Sequence, residues 1–288
     1  MAEREHSAVA SRKNDIKEEV LKIEDLPTLP PIAQTLRDMI EEPGILADDV
    51  SLLVSKDPAL SANFLRLVNS PFYGFPGRIV SVRHALTLAG SNVVRAAASK
   101  IGVCITPREQ IIGLWEHSLW VALASRLLAE RLQFTGVDEV MVAGLLHDIG
   151  KVVLCTLFVE EADRVYRAAG ERRITVLEAE RDILDVDHAE IGLWVAEGWN
   201  FPATLKEPIA YHHEPDRSED RPLKTAVVHL ADILVHSLGF GHYGNNVVPE
   251  LQQSAWKKLQ MSVKDLREVV DEVDNELSVT ETALYRST

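Results

Sequence analysis

The sequence predicts an all-α protein. Leu, Ala and Val dominate the apolar residues while aromatic residues make up only 6% of the chain, a mixture that suits helices better than a β-sandwich. Apolar residues recur at helical spacing along most of the sequence, and no segment shows the alternating pattern of a half-buried strand. With 288 residues, of which 46% are hydrophobic, the chain is long enough for one large domain or two smaller ones.

The first half of the chain predicts a tail followed by a compact set of helices. Residues 1–22 are charged and lack a stable apolar stripe, which indicates a flexible polar tail. Five or so helices are then expected in an N-terminal subdomain over residues 23–108. Capping residues mark several of their starts, namely Asp57–Pro58, Ser81 and Ser91.

The second half predicts a longer series of helices. One long helix is expected from about Gln110 to Leu132, with Trp and Leu at four-residue spacing. Shorter helices follow near residues 138–158, 161–169, 175–181, 188–198, 204–213 and 222–238. Together they form a subdomain over residues 109–244, and two closing helices are expected over residues 245–288.

Net charge and hydropathy exclude some classes of binding partner and predict the cellular location. A formal net charge of -14 repels phosphate backbones and anionic membrane surfaces, so we expect neither direct nucleic-acid binding nor membrane association. The polar start has no signal-peptide pattern, and the near-continuous apolar run Val152–Val159 is too short to span a bilayer. Both cysteines lie in apolar stretches, without a disulfide framework. These features predict a cytoplasmic protein.

Polar residues interrupt several segments in which periodicity predicts a core. The clearest case is His147–Asp148, in the middle of the apolar stretch expected to form one helix. Burying an ionised carboxylate there is unfavourable unless it is paired or binds a cation. The other cases are His117, Asp187–His188, His212–His213 and Asp232.

His nitrogens and Asp oxygens are suitable ligands for iron, manganese and zinc. Four ligands from three helices would hold one ion and three further histidines a second, and two close metals can drive phosphoester hydrolysis. Taken singly, each residue has a simpler interpretation, because a lone histidine is more often a hydrogen-bonded core or surface residue than a ligand. His229, His236 and His242 keep that simpler interpretation and are not counted as ligands.

The ordered series is more specific than its parts. LLHDIGK, DHAEIG, the His–His doublet and HLADIL, together with the preceding His117, resemble the HD superfamily of metal-dependent phosphohydrolases over about residues 110–240. In the first half, LPTLPPIAQTLRDMI and SKDPALSANFLRLVNSPFYGFPGRIVSVRHALTLAG resemble HDOD proteins, which are helical output modules of bacterial signalling. This resemblance spans about residues 23–238 and implies a multi-helix HD-superfamily bundle with an N-terminal helical subdomain.

The resemblance also implies roles for individual residues. The primary metal of the superfamily would be held here by His117, His147, Asp148 and Asp232. In relatives that degrade cyclic di-GMP, further metal ions are held by residues that match His188, His212 and His213, and a lysine matching Lys151 lies near the substrate phosphate. After the His–His doublet, however, this chain reads HHEPDRSEDRP and lacks the Gly-Tyr-Pro element of those phosphodiesterases.

Three functions stay open on this basis. The first is a regulatory HDOD output protein with one or two divalent transition-metal ions, iron first and Mn or Zn as alternatives. It would act mainly by binding a signalling protein or a small phosphorylated or nucleotide ligand. The second is a metal-dependent phosphohydrolase of a nucleotide or other phosphoester, with Asp148 and Lys151 as catalytic residues. The third is a helical protein whose His/Asp set is a relic held by hydrogen bonds. The sequence leaves the oligomeric state open.

Overall fold

A computed structural model describes residues 12–41, 47–70, 79–89, 102–104, 109–241 and 247–285. These residues are almost entirely helices, turns and short connections, and they contain no β-strand. One isolated bridge pairs Thr28 with Val103 in parallel orientation. The prediction of an all-α fold is therefore confirmed.

The N-terminal half holds a helix over residues 12–20 (α1) and four further helices. They are α2 (Pro30–Glu41), α3 (Ala47–Val54), α4 (Pro58–Val68) and α5 (Val82–Ala89). Asp57 begins α4 as predicted, because its carboxylate accepts a hydrogen bond from the Leu60 amide at 2.7 Å and Pro58 follows it. The helix predicted after Ser91 lies outside the described residues.

Helix α1 differs from the predicted polar tail over residues 1–22. Ile16 and Val20 lie four residues apart on one face of α1, and each is 2% exposed within the main apolar core. Lys13 forms an ion pair with Glu190 at 2.9 Å, and Lys17 lies over the ring of Trp194. Two apolar residues give too short a stripe to recognise in sequence, but docking against the rest of the protein orders them. Residues 1–11 lie outside the described part of the chain.

The second half contains ten helices within its described residues. They are α6 (Glu109–Arg131), α7 (Val137–Leu146), α8 (Ile149–Leu157), α9 (Val159–Arg172), α10 (Val176–Leu184), α11 (His188–Gly198), α12 (Ala203–Tyr211), α13 (Pro222–Leu238), α14 (Gln253–Leu259) and α15 (Val263–Tyr285). A 3₁₀ turn, Pro215–Arg217, joins α12 to the segment before α13. Both expected closing helices are present, as α14 and α15.

One predicted helix is wrong in its continuity. The sequence predicts a single helix over residues 138–158, but the chain breaks at His147–Asp148, where Asp148 has φ −97° and ψ 20°. Neither residue at this break, which separates α7 from α8, is a proline or a glycine, although Gly144 and Gly150 lie on either side of it. Its consequence is that both side chains turn into the interior next to each other rather than following the faces of one helix.

Two apolar clusters form the interior. The larger one continues from α1–α5 into α6–α12, so the two predicted subdomains share a core across the boundary at residues 108 and 109. The smaller one joins α6 and α13 to the closing helices α14 and α15. The stretch Val137–Leu157 is long and apolar enough to cross a membrane, contrary to the expectation from the shorter run Val152–Val159, yet 83% of its most apolar window is buried in this core.

Candidate metal centre

The predicted ligand residues reach the interior from five places in the fold. His117 lies on α6, His147 and Asp148 at the break between α7 and α8, and His188 at the first position of α11. The doublet His212–His213 follows α12, and Asp232 lies in the middle of α13. The structure brings all seven side chains into one cluster. Six of them are buried to 1% exposure or less, and His213 is half-buried.

Asp148 stands at the centre of this cluster. Its Oδ2 atom lies 3.3 Å from the Nε2 atom of His147 and 3.9 Å from that of His117. Its Oδ1 atom lies 3.3 Å from Nε2 of His188 and 3.6 Å from Nε2 of His212. The two carboxylate oxygens therefore face different groups of histidines, which is the geometry of a bridging ligand.

Asp232 forms the second carboxylate of the cluster. Its Oδ1 atom lies 3.0 Å from Nε2 of His117 and 3.6 Å from Nε2 of His147. The same oxygen lies 3.4 Å from Nε2 of His236, a residue that the sequence did not place among the ligands. His236 is thus a further member of the cluster, while His242 lies outside the described residues.

The remaining three histidines form a compact group. Nε2 of His188 lies 3.3 Å from Nε2 of His212 and 2.8 Å from Nε2 of His213. The Nδ1–H group of His188 donates to Glu180 at 2.5 Å, and that of His212 donates to the Ile209 carbonyl at 3.0 Å. When these rings are neutral, the Nε2 atoms of His188 and His212 carry lone pairs that a cation placed between the three histidines would stabilise.

The distances between ligand atoms fit a transition-metal site. Ligands about 2.0–2.2 Å from one ion lie roughly 3.0–3.6 Å from each other in octahedral or tetrahedral coordination. Most of the contacts among the Asp148, Asp232 and histidine atoms fall in this range. Four groups of three such residues have all their ligand atoms within 4.8 Å of one another. The donor set therefore fits a divalent transition metal, as the sequence predicts.

The buried carboxylates of the cluster favour positive charge beside them. Burial opposes a charge on His147, but the carboxylates of Asp148 and Asp232 outweigh it and raise the pKa of His147 to about 10. Burial lowers the pKa of His212 to about 4, which keeps that ring neutral at physiological pH. Burial alone would raise the pKa of Asp148, yet His147 and Lys151 hold it well below its usual range. His147 is therefore protonated in the metal-free cluster and would have to release a proton for its Nε2 atom to bind a metal, whereas His212 is already neutral.

Three supporting residues lie outside the predicted ligand set, and one of them, His229, is the hydrogen-bonded core residue that the simpler interpretation gave. Glu180 is 1% exposed and accepts from both the backbone N–H and the Nδ1–H of His188. His229 donates from Nδ1 to the His212 carbonyl at 2.6 Å and accepts from the Gln252 amide at 3.0 Å. Carboxylates and carbonyls in such positions fix the orientation of metal-binding imidazoles. The third residue is His236, described above.

The site depends on a close contact between α8 and α11. A β-carbon on Gly150 would overlap the carbonyl oxygen of His188 and lie 2.8 Å from the Gly192 amide nitrogen. Only glycine lets the two helix starts come this close. This contact brings His188 to the carboxylate of Asp148.

Lys151 and a cleft complete the surroundings. The Lys151 ammonium lies 2.7 Å from Oδ2 of Asp148 and is buried with it, although the resemblance implies a place near substrate phosphate. A cleft of about 290 Å³ opens beside His213, with Arg181, Trp194 and Tyr211 among its lining residues.

Comparison with known proteins agrees with this fold. The sequence profile of the HDOD domain matches residues 26–215, which is well over half of the chain. This chain belongs to the HDOD domain family. A crystal structure of an HDOD domain protein from Geobacter sulfurreducens matches with a TM-score of 0.57 and 27% identity, covering 96% of this chain and 97% of that one. The MmoQ response regulator from Methylococcus capsulatus str. Bath matches with a TM-score of 0.66 and 24% identity, covering 86% and 99%.

Curated relatives of this HDOD protein are longer. A Treponema pallidum (strain Nichols) protein described as uncharacterized is 28% identical over 226 residues, or 75% of this chain and 43% of that protein. Ribonuclease Y of Thermus thermophilus is 31% identical over 121 residues, or 41% of this chain and 16% of the enzyme. The chain thus spans less than half the length of these relatives.

Proposed function

We propose that this HDOD protein is a regulatory output module that holds one or two divalent transition-metal ions and acts mainly by binding rather than turnover. Its partner would be a signalling protein or a small phosphorylated or nucleotide ligand. The supporting observation is the burial of the cluster. His117, His147 and Asp148 have no exposed surface, so a phosphoester does not reach them unless the surrounding helices separate.

The position of Lys151 supports the same function. A lysine that serves a substrate phosphate needs an ammonium group that faces the substrate, whereas this one pairs with the carboxylate of Asp148 in the interior. Such a pair helps to compensate the charge of the buried carboxylate. We favour iron as the metal, with manganese and zinc as alternatives, because the donors are imidazoles and carboxylates without thiolates.

Metal analysis tests this proposal. We expect the full chain, purified anaerobically without chelator, to hold one or two transition-metal ions. The variant Asp148→Ala should lose them, because it removes the carboxylate that faces both groups of histidines. Asp271→Ala is the matched control, since Asp271 is exposed on α15. Wild-type protein without bound metal, or full metal content in Asp148→Ala, would contradict the proposal.

Hydrolysis of a nucleotide or other phosphoester is the second candidate function. The cleft beside His213 favours it, because this half-buried ligand is where a substrate would reach the cluster. Arg181 also lines this cleft, where it pairs with Asp187 and Glu214. A bound metal would supply an activated water and charge stabilisation there. Turnover of nucleotides or cyclic dinucleotides with Mn²⁺ or Fe²⁺, lost in Asp148→Ala but kept in Asp271→Ala, would favour the enzyme over the binding module.

A further inference from the structure

His229 lies between the metal cluster and the closing helix α14. It is on α13, three residues before Asp232, and is 2% exposed. Its Nδ1 atom lies 2.6 Å from the carbonyl oxygen of His212, and its Nε2 atom lies 3.0 Å from the backbone nitrogen of Gln252. Gln252 occupies the N-cap position of α14. One buried imidazole thus contacts the backbone of a predicted ligand on one side and the start of a closing helix on the other.

The two backbone partners of His229 determine which of its nitrogens carries the proton. A carbonyl oxygen only accepts and a backbone N–H only donates, so Nδ1 is the donor to His212 and Nε2 is the acceptor from Gln252. Burial lowers the pKa of His229, which favours this neutral ring. Both ring nitrogens are therefore in use, and movement of the ring away from either partner weakens a hydrogen bond in the interior.

Helix α14 is short and depends on its contacts with the rest of the protein. It has seven residues, too few for a helix that is stable by itself in water. Ala255 and Leu259 pack it into the smaller apolar core. Lys258 also forms an ion pair with Asp216 of the 3₁₀ turn at 2.8 Å, but this pair is exposed and contributes little. The hydrogen bond to His229 therefore gives the start of α14 a polar connection to the buried cluster.

We propose that His229 is a positioning residue that couples metal binding at the His212–His213 doublet to the stability of α14. The inference rests on the proposed function, since it assumes that the doublet binds metal. An ion held by both rings of the doublet restricts its backbone, and the His212 carbonyl then holds His229 in the orientation that accepts from Gln252. Because coupling between two sites is reciprocal, an intact start of α14 strengthens metal binding by the same factor.

Proline distinguishes this coupling from a general contribution to stability. Gln252 has φ −70° and ψ 117°, so Gln252→Pro fits the backbone while it removes the N–H that His229 accepts. Gln253→Pro is the matched control, because residue 253 is the first of α14, where proline is tolerated. His229→Asn breaks the same hydrogen bond from the other side. Its amide nitrogen can replace Nδ1 beside the His212 carbonyl, but asparagine has no atom at the position of Nε2.

Hydrogen–deuterium exchange of the full-length proteins under anaerobic conditions tests the coupling, with and without Fe²⁺ (or Mn²⁺ or Zn²⁺ if the wild type binds one of these instead). One hydrogen bond changes an equilibrium by about 2–10-fold. We expect the metal to slow exchange in peptides that cover α14 by about this factor in the wild type and Gln253→Pro. It should have no such effect in Gln252→Pro or His229→Asn. Competition with a chelator should show metal affinity weakened by the same factor in these two variants.

The outcomes separate this inference from the proposed function. Wild-type protein that binds metal without a change of exchange in α14 would overturn the coupling and leave the metal-binding module intact. Equal slowing of exchange in the wild type, Gln252→Pro and His229→Asn would overturn it as well. Wild-type protein that binds none of the three ions would overturn both proposals. Circular dichroism of each variant confirms folding, and His229→Asn decides the matter if Gln252→Pro unfolds the protein.

Discussion

Glu180 provides a sharp test of how the fold orients its metal ligands. Its Oε2 atom accepts from the Nδ1–H of His188 at 2.5 Å and from the His188 backbone N–H at 2.9 Å. Glu180→Ala removes the acceptor of two donors in a region that is 1% exposed or less. A buried donor left without its acceptor costs about 1–3 kcal/mol. The His188 ring also becomes free to turn its Nε2 atom away from the cluster.

The expected effect on metal binding follows from this support. Loss of a residue that orients a metal-bound histidine weakens metal affinity about 10–100-fold. That range corresponds to roughly 1.4–2.8 kcal/mol, since a tenfold change equals about 1.4 kcal/mol. Glu180→Gln keeps one acceptor oxygen and should lose less affinity than alanine.

Competition with a chromophoric chelator under anaerobic conditions measures the affinity of each variant. Glu272→Ala is the control, because Glu272 is exposed on α15. Urea unfolding of the metal-free proteins measures the separate cost in stability. Equal metal affinity in Glu180→Ala and Glu272→Ala would refute the role of Glu180 in orienting His188.

Three further predictions concern the fold. Gly150→Ala should lower the free energy of unfolding in urea by about 3 kcal/mol or more, because the new β-carbon overlaps the His188 carbonyl. In the control Gly170→Ala on α9, the new β-carbon meets open space, and the free energy of unfolding should rise by up to about 1 kcal/mol. Equal effects of the two substitutions would contradict the close contact. Burial raises the pKa of the Cys155 thiol to about 12, so iodoacetamide at pH 8 should label it only after unfolding, as mass spectrometry can show. Burial also raises the pKa of Asp57 in the native state above its value in the unfolded chain. As the pH rises from about 4 through this raised pKa, ionisation of Asp57 therefore lowers the free energy of unfolding. The free energy of unfolding of Asp57→Asn should therefore rise relative to that of the wild type across this pH range. A difference between the two proteins that does not change with pH would contradict the raised pKa of Asp57.

Sequence reasoning located helices best where the signals are local. The predicted span of α11 agrees with the structure, because Asp187 caps it by accepting from the Glu190 amide at 2.9 Å. Helix α13 also agrees, since Pro222 occupies its first position and Gly239 ends it in the left-handed conformation at φ 78°. These boundaries depend on residues next to each other in sequence.

The break at His147–Asp148 and the docking of α1 could not be predicted in the same way. The break lies inside a long apolar stretch with no breaker at the two residues themselves, whereas α1 has only a short apolar stripe. Both features depend on contacts with residues far along the chain. Asp148 meets His188 and His212, and α1 contacts α11 through Lys13 and Glu190. Tertiary contacts override local propensity in both places.

The supporting residues outside the predicted ligand set differ in how clearly the sequence indicated them. Glu180 lies four residues before Leu184 and four after Val176, on the buried face of α10. An acidic residue at a position where helical spacing predicts the core indicates a buried partner, so the sequence contained a signal for it. His236 follows Asp232 by four residues, the spacing of metal-ligand pairs on a helix. His229 agrees with its simpler interpretation as a hydrogen-bonded core residue, but its partners His212 and Gln252, 17 and 23 residues away, could not be predicted from the sequence.

The position of the cluster between the two apolar cores connects metal binding to the whole fold. Asp148 begins α8, which packs in the larger core with the N-terminal helices, whereas Asp232 lies on α13, which joins the closing helices in the smaller core. An ion shared by these two carboxylates would link both cores. A ligand present at a thousand times its Kd stabilises the native state by about 4 kcal/mol. Because this stabilisation would act on elements from both cores, removal of the metal should destabilise the two cores together.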